Sequence, residues 1–233
     1  RRQRQMCIRD STGAVLTPEE MRMLVDVAKA HDLFIIGDEA YREFVYAGEP
    51  LQSMGQFEDA AENVIVIDTV SKRFSACGAR IGCMISRNKE LMAQAMKYAQ
   101  CRLSVPTLDQ VAAAALYTVG PDYFAAVREE YKRRRDTVVN KLHEIPGVVC
   151  ECPRGAFYIM AALPVDDADA FQKWLLEEFE DNGDTVMFAP GEPFYGTPGK
   201  GKNEIRIAYV LKQADLERAM DLLAKGIAAY NAR

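Results

Sequence analysis

The sequence lacks the residues from which common metal sites are built. Its six cysteines form no CxxC pair, and His31 and His143 are its only histidines. Because a structural zinc site needs clustered cysteine and histidine ligands, we expect no metal. Scattered cysteines in a chain of 233 residues are typical of a reduced, cytoplasmic protein.

Segments for membrane insertion and for nucleic-acid binding are also missing. No apolar run approaches the roughly 20 residues of a membrane-spanning helix, and we expect no secretory leader. The 29 basic and 34 acidic residues are spread along the chain and give a net charge of −5. The basic run 132–135 on a long predicted helix is typical of a solvated face. No phosphate loop of the form GxxxxGK[ST] occurs.

The patterned part of the chain predicts an α/β fold. Thr17-Pro18-Glu19-Glu20 has the sequence of a capping box, which predicts a helix beginning at Pro18. The apolar run 33–37 is typical of a parallel strand buried on both faces. Strands 63–69 and 81–86 alternate with the predicted helices 57–62, 89–98, 108–117 and 122–144, which implies crossover connections.

The sequence after Pro146-Gly147 predicts a smaller α+β unit. Its predicted strands are 148–151, 156–162 and 204–210, and its predicted helices are 168–180 and 213–230. We place the domain boundary within the long helix, near residue 130. Residues 1–11 have no periodicity and resemble translated sequencing adapter, so we expect a non-native tail there; a natural polar tail is the alternative.

The residues around Lys72 indicate a specific chemistry. Lys72 follows the predicted strand 63–69, and Arg80 lies eight residues beyond it. A lysine amine can hold an aldehyde as a Schiff base. The hydroxyls of Thr69 and Ser71 and the guanidinium of Arg80 can hold a phosphate. Together these groups suggest pyridoxal phosphate as the cofactor.

Four sequence features carry a family resemblance: Asp38-Glu39-Ala40-Tyr41, Ser71-Lys72, Arg80, and Arg206 in a late strand. In this order and spacing they resemble the fold-type-I aminotransferases of the aspartate aminotransferase superfamily, classes I and II. The resemblance covers residues 12–233 and implies the C-terminal portion of a PLP-dependent transferase fold. Residues 12–130 would then be the second half of the large cofactor-binding domain, with a mainly parallel sheet and crossover helices, and residues 131–233 the small α+β domain.

The resemblance also implies a role for each cofactor-binding residue. Asp38 would keep the pyridine nitrogen of the cofactor protonated, and Tyr41 would donate to its phenolic oxygen. Lys72 would form the Schiff base and later act as general base and acid. The phosphate would be held by Thr69, Ser71 and Arg80. We expect Arg73, next to Lys72, at the surface or an interface.

On the substrate side, the resemblance assigns the α-carboxylate to a bidentate contact with Arg206. It implies an enzyme that transfers nitrogenous groups, with amino acid and 2-oxo acid substrates, and a homodimer when intact. Aspartate with 2-oxoglutarate is the preferred pair. Arg102 is either a second cation for a dicarboxylate or, more simply, a surface residue. Another reaction of the same cofactor, such as a carbon–sulfur β-lyase reaction, is the alternative.

The chain departs from the family pattern at its beginning. The Asn-Pro-Thr-Gly turn survives only as Thr12-Gly13, preceded by Asp10 and Ser11, so the asparagine that would bind the phenolic oxygen is absent. The long preceding segment of family members, with its phosphate loop and ring-stacking aromatic residue, is also absent. We therefore expect a truncated chain that alone binds cofactor poorly and turns over little, or a catalytically incompetent fragment. A cofactor-binding regulatory module is a non-enzymatic alternative that none of these residues supports.

Overall fold

The computed structural model describes residues 8–46 and 52–233, which divide into two compact units. One unit combines residues 8–14 with Val127–Arg233, and the other is Val15–Ala126. The division near residue 126 lies inside one long helix. The domain limits expected from the family resemblance, 12–130 and 131–233, stay a prediction. In the structure residues 12–14 belong to the C-terminal unit rather than to the unit Val15–Ala126.

The helices in chain order are α1 Ile8–Thr12, α2 Pro18–Ala30, α3 Val70–Arg73, α4 Lys89–Arg102, α5 Thr107–Leu116, α6 Pro121–His143, α7 Ala168–Glu177 and α8 Gln213–Asn231. The strands are β1 Ile35–Asp38, β2 Val64–Thr69, β3 Gly82–Ile85, β4 Val149–Cys150, β5 Tyr158–Ala162, β6 Ala189–Pro190 and β7 Glu204–Ala208. Short 3-10 turns occupy Met54–Gln56, Glu58–Ala60, Cys77–Ala79 and Glu192–Phe194. Mixed helices and strands confirm the α/β class.

The unit Val15–Ala126 contains a three-stranded sheet in the order β1-β2-β3. β1 and β2 are parallel, whereas β3 runs antiparallel to β2, a direction that the sequence pattern did not reveal. Helix α2 begins with the predicted capping box, in which Thr17 Oγ1 accepts a hydrogen bond from Glu20 N at 3.2 Å. One face of the sheet packs against this helix in a core of Met21, Val25, Met54, Ala60, Val64 and Val66.

Two predictions for this unit were wrong. β1 is not buried on both faces, because its side chains alternate and Ile36 is 68% exposed. β1 is an edge strand of the three-stranded sheet, and among the residues that the structure describes no element covers that side of Ile36. The helix expected over 57–62 is instead the second of two consecutive 3-10 turns.

The C-terminal unit is built on a four-stranded antiparallel sheet in the order β4-β5-β7-β6. β5 and β7 alternate between buried and half-buried residues, as expected for strands with one core face. The core side chains from this sheet and from α6, α7 and α8 include Val138, Leu142, Ile159, Phe171, Leu175, Ile205, Leu216 and Leu223. β6 has only two residues and was not predicted.

Residues 8–14 fold against the C-terminal unit. The sequence analysis set residues 1–11 aside as a non-native tail; residues 1–7 lie outside the described residues, but residues 8–12 form α1 and Ser11 is only 5% exposed. Gly13 O accepts hydrogen bonds from Arg154 N at 3.0 Å and Gly155 N at 2.9 Å. This turn therefore attaches α1 to the segment that leads into β5.

Neither a membrane span nor a metal cluster is found in the part of the chain that the structure describes. Over residues 8–46 and 52–233, every helix is too short or too polar to cross a bilayer. Across the same ranges, no three histidine, cysteine, aspartate or glutamate side chains come together as metal ligands would.

We expect Gly13→Ala to destabilise the C-terminal unit far more than Gly183→Ala. Both glycines have positive φ angles, +68° and +80°, but a Cβ at Gly13 would overlap Pro153 and lie 2.8 Å from Gly155 O, whereas Gly183 has open space. Chemical denaturation should show losses of unfolding free energy of about 3 kcal/mol for Gly13→Ala and about 1 kcal/mol for Gly183→Ala. Equal losses would mean that the contact with Pro153 is not tight.

Candidate active site

The parallel pair β1 and β2 brings two polar segments to one edge of the sheet. Asp38, the last residue of β1, pairs with Ile67, and β2 ends two residues later at Thr69. Helix α3, which carries Lys72, begins immediately afterwards. Since open α/β sheets bind ligands at the carboxyl ends of their strands, this edge is the candidate site.

Lys72 lies over an aromatic ring at this edge. Its Nζ is 5.9 Å from the centroid of the Tyr41 ring, and both side chains are half-buried. The Tyr41 ring in turn makes an edge contact with Phe44, which is buried. Cation–π attraction operates at this separation. The structure thus brings together the two residues that the sequence analysis assigned to the Schiff base and to the phenolic oxygen.

The hydroxyls of Thr69 and Ser71 are also adjacent, and they cap α3. Thr69 Oγ1 accepts from Ser71 N at 3.1 Å, lies 2.9 Å from Ser71 Oγ and donates to Ile81 O at 2.7 Å. A hydroxyl has one proton. Because the proton of Thr69 goes to Ile81 O, Ser71 must be the donor between the two hydroxyls. The start of the lysine helix is therefore fixed by side chains.

The other two predicted cofactor ligands are exposed. Asp38 Oδ1 accepts from Ala40 N at 3.1 Å, and its side chain is otherwise open at the end of β1. Arg80 has a left-handed backbone, with a φ of 54°, and its Nη1 donates to Cys77 O at 3.0 Å. Among the described residues no hydrogen bond joins Arg80 to Thr69 or Ser71. Its phosphate role stays a prediction.

Arg206 belongs to the C-terminal unit, where it is held on three sides. Its guanidinium carbon lies 4.5 Å from the ring centroid of Tyr158 and 4.2 Å from that of Phe194. Its Nη1 donates to Ser11 Oγ at 3.0 Å. Two rings and one hydroxyl therefore restrict the position of the guanidinium.

Sequence reasoning missed two of these three contacts. Ser11 had been set aside with residues 1–11, and Phe194 was not considered. The signal for Ser11 was its position directly before Thr12-Gly13, the remnant of the family's turn. Nothing local marks Phe194, which lies in a 3-10 turn twelve residues before Arg206 and outside β7.

The neighbour of Phe194 anchors this turn. Tyr195 OH donates a hydrogen bond to Glu204 Oε2 at 2.5 Å, and Glu204 is the first residue of β7. This hydrogen bond, together with burial and the charge of Glu204, raises the pKa of Tyr195 to about 12. The loop that carries Phe194 is thereby tied to the strand that carries Arg206.

The comparisons with known proteins decide the family. The sequence model for aminotransferase class I and II matches residues 6–223. The chain belongs to this family. The resemblance seen in the sequence is confirmed, and the match includes residues 6–11 of the segment that had been set aside.

Individual relatives agree with the family match. Aspartate aminotransferase of Bacillus subtilis (strain 168) is 31% identical over 229 residues, which cover 94% of this chain and 56% of that protein. Aromatic-amino-acid aminotransferase 2 of Thermococcus litoralis is 32% identical over 219 residues, 92% of this chain and 54% of that protein. The crystal structure of an aromatic aminotransferase from Pyrococcus horikoshii OT3 matches with a TM-score of 0.82 and 27% identity, over 95% of this chain and 58% of that one. The chain spans just over half the length of these relatives.

Removal of the Thr69 hydroxyl should loosen the lysine helix. In Thr69→Val, Ser71 N loses its capping acceptor and Ile81 O loses the shorter of its two hydrogen bonds, so we expect the free energy of unfolding to fall by about 2 kcal/mol. Thr69→Ser keeps the hydroxyl and is the matched control. Denaturation curves that coincide for Thr69→Val and Thr69→Ser would contradict the capping role.

A pH-dependent stability is expected from Tyr195. Its pKa is raised from 10.0 to about 12 in the folded chain, so its contribution is complete below pH 10 and is lost as the pH rises towards 12. The unfolding free energy of the wild type should therefore fall more steeply across this window than that of Tyr195→Phe. Parallel pH profiles for the two proteins would show that the hydrogen bond to Glu204 does not form.

Proposed function

We propose that this chain carries the lysine part of an aminotransferase active site. The protein would bind pyridoxal phosphate and move an amino group from an amino acid to a 2-oxo acid. The observation that carries the proposal is the placement of Lys72 over Tyr41, at the sheet edge where Asp38, Thr69 and Ser71 also lie.

The donor chemistry of this edge fits the cofactor. The exposed carboxylate of Asp38 can face a protonated pyridine nitrogen, and the hydroxyls of Thr69 and Ser71 suit a phosphate. Arg80, exposed beside the same loop, can add a positive charge. When bound, pyridoxal phosphate supplies an aldehyde that attaches amines and a ring that withdraws electrons.

The residues of the chain then have distinct tasks. Lys72 would hold the aldehyde carbon through its amine and, once displaced by the substrate amine, move the proton at the substrate's α-carbon. The Tyr41 hydroxyl would hold the phenolic oxygen. Arg206 would bind the α-carboxylate, and the rings of Tyr158 and Phe194, 4.5 and 4.2 Å from its guanidinium carbon, would shield it from water.

The preferred substrate pair is aspartate with 2-oxoglutarate. The relative from Bacillus subtilis is named for aspartate, but the one from Thermococcus litoralis is named for aromatic amino acids, so both donor classes belong in the test. Arg102, exposed at the end of α4, would be the second cation for a dicarboxylate; a surface role is the alternative. We also propose that the whole protein is a homodimer.

Reductive trapping tests the lysine. The chain is mixed with pyridoxal phosphate, reduced with borohydride and digested, and the adducts are located by mass spectrometry. We expect the adduct to concentrate at Lys72 and to disappear in Lys72→Arg, while Lys89→Arg, an exposed lysine of the same unit, behaves as the wild type. Adducts spread evenly over the surface lysines in all three proteins would refute the proposed site.

Product analysis separates amino transfer from the lyase alternative. With aspartate and no 2-oxo acid, an aminotransferase releases one equivalent of oxaloacetate per bound cofactor and then stops until 2-oxoglutarate is added. A carbon–sulfur β-lyase has no bond to cleave in aspartate, but with cysteine it releases sulfide, pyruvate and ammonia continuously and needs no 2-oxo acid. In Lys72→Arg we expect oxaloacetate to form at least about a thousandfold more slowly, because both the covalent attachment and the proton transfer are lost.

A further inference from the structure

A charged cluster lies behind the candidate site in the unit Val15–Ala126. It consists of three acidic residues and two arginines: Glu39, Glu43, Asp68, Arg42 and Arg73. Glu39 and Asp68 are 4% and 7% exposed. Buried carboxylates are costly unless they are paired, so such a cluster needs an explanation.

The cluster connects two segments of the chain. Arg42 Nη1 lies 3.5 Å from Glu39 Oε2 and 3.8 Å from Asp68 Oδ2. Arg73 Nη1 lies 3.8 Å from the same Asp68 oxygen, and its Nε is 3.0 Å from Glu43 Oε1. Asp68 is therefore approached by one arginine from each segment, 39–43 and 68–73.

These two segments carry the residues of the candidate site. Four of the five cluster residues are direct chain neighbours of candidate site residues. The pairs are Glu39 with Asp38, Arg42 with Tyr41, Asp68 with Thr69, and Arg73 with Lys72. Successive residues of a strand point to opposite faces of a sheet. Asp68 therefore points away from the face of Thr69, and the cluster occupies the rear of the edge whose front holds the candidate site.

Each end of the cluster is fixed by further contacts. Glu39 Oε1 accepts from Ser53 Oγ at 2.8 Å and from Met54 N at 2.9 Å. Asp68 Oδ1 accepts from Thr69 N at 2.7 Å. The guanidinium of Arg73 lies 5.3–5.6 Å from the ring centroids of Phe74, Tyr117 and Phe124, and its side chain is only 20% exposed. Of the two positions expected for Arg73, the open surface is wrong and an interface stays a prediction.

We infer that this cluster is a positioning device that holds Lys72 in place over Tyr41. Asp68 and Arg73 are its central residues, and they act through their chain neighbours without touching a ligand. The inference rests on the proposed function, because the distance between the Lys72 amine and the Tyr41 ring matters only if both residues hold the cofactor. Two ion pairs join the segments, Arg42 with Asp68 at 3.8 Å and Arg73 with Glu43 at 3.0 Å. The contacts of 3.5–3.8 Å act by charge attraction rather than as tight hydrogen bonds.

The test uses Arg73→Met, Arg73→Lys and Asp68→Asn. Asp68→Asn keeps an acceptor for Thr69 N but removes the charge that faces both arginines, and Arg73→Lys keeps the positive charge. Arg87→Met is the control, because Arg87 makes an exposed ion pair with Glu58 at 3.7 Å in the same unit. Thermal unfolding of each variant verifies that it is folded.

Hydrogen exchange measures the coupling without any cofactor. Arg73→Met and Asp68→Asn should speed exchange of the amides of residues 39–46 by about tenfold, although neither substitution lies in that segment. Arg87→Met should leave these amides unchanged. Exchange that rises only in residues 68–75 would overturn the inference, because the cluster would then not connect the two segments.

Reductive trapping with pyridoxal phosphate measures the consequence for Lys72. In Arg73→Met and Asp68→Asn the adduct at Lys72, relative to the adducts on exposed lysines, should fall about tenfold, and Arg73→Lys should recover most of it. Folded variants that trap at Lys72 as the wild type does would overturn the inference. The wild-type sample tests the proposed function separately. If its adducts show no preference for Lys72, the proposed function is refuted, and with it this role of the cluster.

Discussion

The candidate site depends on the parallel pairing of β1 with β2. This pairing sets Asp38 opposite Ile67, and so brings the segment after each strand to the same edge. Four of the predicted cofactor residues follow from that register, because Tyr41 lies just beyond the end of β1 and Thr69, Ser71 and Lys72 lie at or just beyond the end of β2. A shift of one residue in the pairing would turn Thr69 to the core face and Asp68 to the site.

Because successive side chains of a strand point to opposite faces of the sheet, the sheet edge has a front face and a rear face with different side chains. The front carries groups that suit a ligand, and the rear carries Glu39, Arg42, Asp68 and Arg73, whose charges attract one another over 3.5–3.8 Å. The Arg206 site in the C-terminal unit has its own support, from Ser11 and two aromatic rings. In both places a residue with a proposed chemical role lies beside residues for which we propose no such role.

The features that could be predicted from the sequence are those that depend on a local pattern of residues. The capping box at Thr17 and the strand before Lys72 require only neighbouring residues, and the family resemblance used fixed spacings between Asp38, Tyr41 and Lys72. The contact of Ser11 with Arg206 could not be predicted, since it joins residues 195 positions apart. The ring contacts of Arg73 could not be predicted either, because Tyr117 and Phe124 come from distant parts of the chain.

The hydrogen bonds of the two site hydroxyls have a consequence for any anion that binds at the start of α3. The proton of Thr69 is committed to Ile81 O, which ties the end of β2 to the residue before β3. The proton of Ser71 is committed only to its neighbour Thr69. An incoming anion can therefore recruit Ser71 by a single rotation about its Cα–Cβ bond, whereas recruiting Thr69 would break the hydrogen bond from Thr69 to Ile81 O. The two hydroxyls look equivalent in the sequence, but only the Thr69 hydroxyl also links the end of β2 to the residue before β3.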